Sequence, residues 1–450
     1  MLRRTLLGLA IALLVAFGAF FAWQWRGELP PASTSTSAHA FDPGIVAKGA
    51  QLAAIGECAV CHTRAGGKPY AGGFPVQTPF GVVYGTNITP DRDTGIGAWS
   101  EEAFRRALRE GVARDGTHLY PAFPYDHFTR LTDGDISALY AFLMTRAPAA
   151  QANRQPQLDF PLNFRIFAAG WQLLFLTKGP YRNDPSQNAA WNRGAYLVEG
   201  VGHCGGCHTP RNALGAERKN EAFGGGVSEG WSAPALNAAS PAPVPWTAGQ
   251  LTAYLKTGFA DQHGIAAGPM QAVVANLGKA SDADVRAIAT YVASFIGPRN
   301  AADRQRQTEA SLAFAKQRAV SVSDIARTTT GVASADDRSA GGVLFAGSCA
   351  NCHRSGGGLP ASRPVALALS TPVNSSDPTD LLRIVVDGIH PAPGQSGPIM
   401  PGFSGALTDP QIVALVDYLR AHYSRGQAWP NIAATLADVR RNPTPVMEAP

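Results

Sequence analysis

The chain has 450 residues, with 48 glycines, 34 prolines, six cysteines, 9% aromatics and a net charge of +5. That length allows about three ordinary domains, and the glycine and proline content suits small, loop-rich ones. The mild charge, with no block of one sign, argues against a nucleic-acid partner.

Arg3 and Arg4 precede an apolar run from Leu6 to Trp25. At about 20 residues this run predicts a transmembrane helix. The basic pair then stays in the cytoplasm and everything from about residue 41 lies outside it. A cleaved signal peptide is the rival reading, but its best site, Ala38-His39-Ala40, stands far beyond the run.

The remainder reads as a threefold repeat. Cys58-Ala-Val-Cys61-His62, Cys204-Gly-Gly-Cys207-His208 and Cys349-Ala-Asn-Cys352-His353 have their first cysteines 146 and 145 positions apart. Ahead of each motif is a short helical stretch of small residues, at Gly49, Gly194 and Gly341. A middle helix ends at Gly111, Gly258 and Gly388, with Trp99 and Trp246 upstream in the first two repeats and Ser376 in the third. Those tryptophans are core residues or indole donors to a bound group. A last helix, capped at Thr132, Ser281 or Thr408, shows apolar residues at helical spacing and carries Phe142, Tyr291 or Tyr418. It is expected to cross the first helix at the small residues. The domains are residues 41–150, 188–297 and 336–425. Before, between and after them lie 1–40 (anchor or signal, and spacer), an apolar linker at 151–187, a polar tether at 298–335 and an irregular Pro-rich tail at 426–450. The apolar linker either packs on the modules or lies in a membrane interface.

Two thiols at i and i+3 followed at once by an imidazole is the spacing of covalent haem c attachment. The thiols add to the vinyl groups, and the histidine ligates the iron. A zinc knuckle or a redox dithiol would serve for one copy, but three copies that consume every cysteine point to three haems c. Cys58, Cys61, Cys204, Cys207, Cys349 and Cys352 are the attachment residues. His62, His208 and His353 are the proximal ligands.

A distal methionine belongs in the loop before the last helix, where Met270 and Met400 stand. The first repeat has Phe123 there, which cannot ligate iron. Of His118, His127 and Met144, His127 is the expected ligand of a bis-histidine haem, and a five-coordinate haem is the alternative. His118 recurs as His263 and His390 in repeats that already have a methionine, which suggests a structural role.

Thr86-Asn87-Ile88-Thr89-Pro90-Asp91, Asp115-Gly116-Thr117-His118 and Thr209-Pro210-Arg211-Asn212 carry a further signal. Through them the chain resembles the membrane-bound triheme cytochrome c subunit of bacterial periplasmic dehydrogenases, over about residues 45–423. The resemblance implies an all-α fold of three tandem cytochrome c domains after an N-terminal transmembrane helix. It also implies an electron-carrying role, a periplasmic dehydrogenase large subunit as donor, and ubiquinone or a terminal oxidase as acceptor. The location would be the inner membrane, with the haem domains facing the periplasm. The wording from Phe123 to Phe128 is similar to cytochromes that accompany molybdenum hydroxylases oxidising aldehydes or N-heterocycles. Quinoprotein alcohol dehydrogenases and flavoprotein gluconate-type dehydrogenases are the alternative partners. A haem peroxidase or gas sensor at an open first haem, and a subunit of a respiratory oxidase, are further alternatives. No substrate-oxidising site is expected in the chain itself; Gly200-Val-Gly202-His-Cys-Gly205 matches a dinucleotide fingerprint only by overlapping a haem motif.

Overall fold

The computed structural model describes residues 2–32, 41–330, 337–354, 366–390 and 399–443. The Ala38-His39-Ala40 site and the last residues of the Pro-rich tail fall outside them. The backbone divides into two compact units, Met1–Ala50 with Tyr70–Tyr181, and Gln51–Pro69 with Arg182–Pro450. Motif 1 therefore belongs to the second unit, as do motifs 2 and 3.

The first unit begins with helix α1 (Leu2–Gln24), and α2 (Pro43–Ile55) runs from it into the second unit, where α3 (Cys58–Cys61) follows. The first unit resumes with α4 (Glu101–Glu110), α5 (Tyr125–Phe128), α6 (Asp133–Met144) and α7 (Ile166–Phe175). Strands β1 (Pro75–Thr78), β2 (Gly81–Tyr84) and β3 (Gln157–Leu158) form one small antiparallel sheet. Asn87 is buried and ties this region together: its Nδ2 donates to the Ala149 carbonyl at 2.7 Å, and its Oδ1 accepts from Thr89 Oγ1 at 2.7 Å. The Thr86–Asp91 wording thus encodes a loop clamp.

The second unit holds α8 (Ala189–Glu199), α9 (Gly205–His208), α10 (Ala248–Thr257), α11 (Met270–Leu277) and α12 (Asp282–Ala293). Then come α13 (Ala301–Gln317), α14 (Val322–Thr329), α15 (Ala340–Ser348), α16 (Ala350–His353), α17 (Thr371–Asn374), α18 (Thr379–Asp387), α19 (Asp409–Tyr423) and α20 (Ile432–Arg441). Two hairpins, β4 (Gly226–Ser228) with β5 (Trp231–Ala233) and β6 (Phe259–Ala260) with β7 (Gly264–Ile265), complete it.

One contact recurs three times. A Cβ placed on Gly49 would lie 1.9 Å from the Ala138 carbonyl oxygen and 2.7 Å from Phe142 Cβ. On Gly194 it would lie 2.0 Å from the Ala287 oxygen and 2.7 Å from Tyr291 Cβ, and on Gly341 2.1 Å from the Ala414 oxygen and 2.6 Å from Tyr418 Cβ. Each first helix thus crosses each last helix backbone to backbone. Ion pairs brace two of the crossings: Lys48 Nζ to Asp135 at 2.5 Å and Arg193 Nε to Asp284 at 2.7 Å. Those acids are also the third residues of helices capped by Thr132 and Ser281. The third crossing has a full capping box instead, Thr408 with Gln411. Gly111 and Gly258 end the middle helices in left-handed caps at φ 65° and 75°, and Gly388 ends the third at φ 79°, a positive φ that also favours glycine.

Two expectations about fold class need correction. The fold is mainly helical but not purely so, because among the described residues seven short strands pair. Strands of two to four residues are too short for a period-2 pattern to register in the sequence. The expected N-terminal transmembrane helix is also corrected: among the described residues no helix is long and apolar enough to cross a membrane. Arg3, Arg4 and Thr5 fill the start of α1 and Gln24 ends it. That leaves roughly 18 residues between them, at the short end of what a spanning helix needs. Its C-terminal end is held by the protein, for Gln24 is buried and its carbonyl lies 3.1 Å from His118 Nε2.

The tail is not wholly irregular either. Ile432, Leu436 and Val439 of α20 recur at helical spacing and join the core of Phe345, Leu382, Ile412, Leu415 and Val416. In the apolar linker, α7 buries Ala168, Ala169, Trp171 and Gln172 and leaves Phe167, Leu173 and Leu174 exposed.

Replacing Gly194 by Val should force α8 away from α12 and cost about 1–3 kcal/mol, as overpacking does. Thermal unfolding followed by circular dichroism should show a lower midpoint than wild type; equal midpoints would contradict the close crossing.

Candidate functional site: three cysteine–histidine turns

Each motif folds as one helical turn closed by the same bond. The amide of His62 donates to the Cys58 carbonyl at 3.1 Å, that of His208 to Cys204 at 3.1 Å, and that of His353 to Cys349 at 3.1 Å. An i to i+4 bond puts the first thiol and the imidazole on one side of the turn, with the second thiol a residue before the histidine. None of the six cysteines is in a disulfide. Burial pushes Cys58 and Cys204 up to about 12 and Cys349 up to about 11, so the first thiol of each motif is held neutral.

His208 is buried, and its Nδ1 lies 2.8 Å from the Pro234 carbonyl. That contact fixes the tautomer with hydrogen on Nδ1 and leaves Nε2 as the lone-pair donor, as a metal-ligating histidine needs. Burial also lowers its pKa, which keeps the ring neutral. Met270 opens α11, after Gly268, whose φ of 56° lays the backbone against Trp231. Met400 pairs with Ile389 through two backbone bonds of 2.9 Å, directly over Gly388.

The first-module candidates all lie in the first unit. His118 has both ring nitrogens engaged, Nδ1 with Gln172 Oε1 at 2.7 Å and Nε2 with the Gln24 carbonyl at 3.1 Å, so it offers no lone pair to iron. His127 is buried on α5. Phe123 packs edge-on against Phe128, and Met144 ends α6.

His263 differs from His118. It is 6% exposed, stacks on Trp246 at 3.5 Å between ring centres, and both its nitrogens are buried with no protein partner. Burial pushes it down to about 4, so it is neutral. Orphaned imidazole nitrogens in the second repeat suit a haem, whose carboxylates accept hydrogen bonds. The thiols, the oriented His208 and this orphaned ring together fit the group.

One contact was invisible in the sequence. The residues ahead of motifs 1 and 2 pack reciprocally: a Cβ on Gly56 would lie 2.9 Å from Val201 Cγ2, and one on Gly202 3.6 Å from Ile55 Cγ2. His203 Nε2 lies 3.3 Å from the Gly56 carbonyl. Glu57 and His203 both take left-handed backbone, φ 54° and 35°. Two attachment turns are therefore neighbours. The third module meets the second through α18 and the β4–β5 hairpin: Arg383 Nε donates to the Gly230 carbonyl at 2.7 Å and Asp380 accepts from the Ser232 amide at 2.8 Å.

Comparison with known proteins settles the family. The cytochrome c family matches residues 46–147 and 339–422. The fructose dehydrogenase cytochrome subunit of Gluconobacter japonicus is 37% identical, over 89% of this chain and 83% of that one. The chain belongs to the dehydrogenase cytochrome c subunit family. The gluconate 2-dehydrogenase cytochrome c subunit of Pantoea cypripedii is 34% identical, over 89% and 90% of the two chains. A nicotinate dehydrogenase subunit of Pseudomonas putida is 44% identical over 94% of this chain, which spans only 34% of that protein.

If Met270 is a distal ligand, Met270→Leu, which keeps volume but removes the thioether, should lower one midpoint potential and spare the others. A redox titration with all potentials unchanged would remove Met270 from the ligand set. The same titration of His127→Leu should raise or abolish the lowest-potential step if His127 completes a bis-histidine site.

Proposed function

We propose that this cytochrome is the electron-transfer subunit of a dehydrogenase complex and carries three covalently bound haems c. The observation that carries the reading is the threefold identity of the turn, with two thiols and one histidine closed by the same 3.1 Å bond. Haem supplies one-electron chemistry. The chain's residues would do the rest: the cysteines would anchor the group, His62, His208 and His353 would ligate iron, and Met270, Met400 and His127 would be the further iron ligands. The packed helices keep water away. No part of the chain oxidises the substrate in this reading.

The partner is a molybdenum hydroxylase acting on an N-heterocycle or an aldehyde. The likeness to the nicotinate dehydrogenase of Pseudomonas putida supports this, nicotinate being an N-heterocycle, and so does the Phe123–Phe128 wording. The fructose, gluconate and alcohol dehydrogenase relatives support the second reading, a quinoprotein or flavoprotein partner. Ubiquinone or a terminal oxidase takes the electrons. The haem modules face the periplasm at the inner membrane, where the exposed Leu6, Leu7, Leu9 and Ile11 of α1 and Phe167, Leu173 and Leu174 of α7 rest on the lipid surface.

Purification of the intact complex in mild detergent tests the assignment. We expect a co-purifying large subunit with molybdopterin, and reduction of the haem absorbance on adding an N-heterocycle or aldehyde. Isolation without a dehydrogenase, and haem that no dehydrogenase substrate reduces, would contradict it. The Cys204→Ala/Cys207→Ala pair should lose one haem of three and slow substrate-driven reduction of the terminal acceptor at least tenfold.

A further inference from the structure

Glu57 sits at the contact between motifs 1 and 2, directly before Cys58, and is only 9% exposed. Its Oε2 accepts from Asn276 Nδ2 at 3.0 Å, and its Oε1 is buried with no hydrogen-bond partner. Asn276, itself buried on α11, accepts at Oδ1 from the exposed Lys279 Nζ at 3.5 Å. A short polar chain thus leads from solvent to a buried carboxyl group between two attachment turns. Burial pushes Glu57 up to about 8, against the lowering effects of the Asn276 bond and the Lys279 charge. The group is therefore poised to change protonation near neutral pH.

We propose that Glu57 is a redox-linked proton acceptor serving the first two haem sites. This rests on the reading that motifs 1 and 2 carry haem. When an iron at either motif gains one electron, from the reduced cofactor of the dehydrogenase, the Glu57 carboxylate takes one proton from water. When the acceptor removes the electron, the carboxyl releases the proton. One negative charge enters and one positive charge compensates it, so the buried site keeps its net charge.

Several neighbours face the same carboxyl. Cys58 and Cys61 of α3 become thioethers in the haem-bearing protein and do not titrate. Beyond α11, Lys279 faces the carboxyl. From the segment before motif 2, His203 approaches Gly56. Glu229, after β4, bears on Cys61 and Cys207, and burial raises it to about 7. His203 and Glu229 are thus the competing titrating groups.

The test is a spectroelectrochemical titration of the full-length haem-bearing protein from pH 6 to 10, with covalent haem counted beforehand. We expect the midpoint potential of at least one haem to fall as pH rises through about 8. A tenfold difference in proton affinity between oxidation states corresponds to about 59 mV for a one-electron couple. Glu57→Gln should remove that fall, and His203→Asn should leave it in place. Asn276→Ala, which takes away a bond that favours the charged form, should move the fall to higher pH. An unchanged pH dependence in Glu57→Gln, its loss in His203→Asn, or no movement in Asn276→Ala would overturn the proposal alone. Absence of covalent haem at motifs 1 and 2 would overturn it together with the reading beneath it.

Discussion

Backbone contact at a missing side chain holds each module together. Where Gly49, Gly194 and Gly341 meet Ala138, Ala287 and Ala414, any Cβ would collide with a carbonyl oxygen. The crossing therefore fixes both the distance and the register of the first and last helices. The attachment turn follows the first helix within a few residues, and the distal loop precedes the last helix. In the second and third modules, whatever fixes the two helices fixes the two sides from which an iron would be held. Phe142, Tyr291 and Tyr418 cover the glycines and keep solvent from the seam.

Around that frame the electrostatics follow burial. The first thiol of each motif is held neutral, one proximal imidazole is oriented by a proline carbonyl, and a second histidine stacks on tryptophan with its nitrogens unpaired. Unpaired polar atoms of this kind cost a protein stability unless something binds them. The two orphaned nitrogens of His263 suit a bound group better than side-chain packing alone. The reciprocal packing of Gly56 against Val201 and of Gly202 against Ile55 adds a second constraint, by making two attachment turns neighbours inside one unit.

Much of this was legible in the residues, because local chemistry dictates it. The caps at Thr132, Ser281 and Thr408, the glycine stops at Gly111, Gly258 and Gly388, and the small residues at the crossings are rules of helix ends and helix packing. What escaped depends on tertiary placement. Glu57 looks in the sequence like any polar residue before a motif, and its burial and its bond to Asn276 of α11 come from tertiary contacts. The hairpins are too short to leave a periodic trace. Prolines near Trp429 suggested an irregular tail, but Ile432, Leu436 and Val439 found a core to cover. The apolar run at the N-terminus looked long enough to span a bilayer, but among the described residues no helix is long and apolar enough to do so. His118 and His263 stand at equivalent positions, yet one is fully hydrogen-bonded and the other is not. No spacing rule distinguishes them.

The central claim is that each of the three turns carries its own thioether-bound haem. Mass spectrometry of the acid-denatured, full-length chain, matured by its native host, tests it most directly. The account predicts a mass above that of the polypeptide by three haem increments. A species carrying one, two or no haems at full maturation would contradict it.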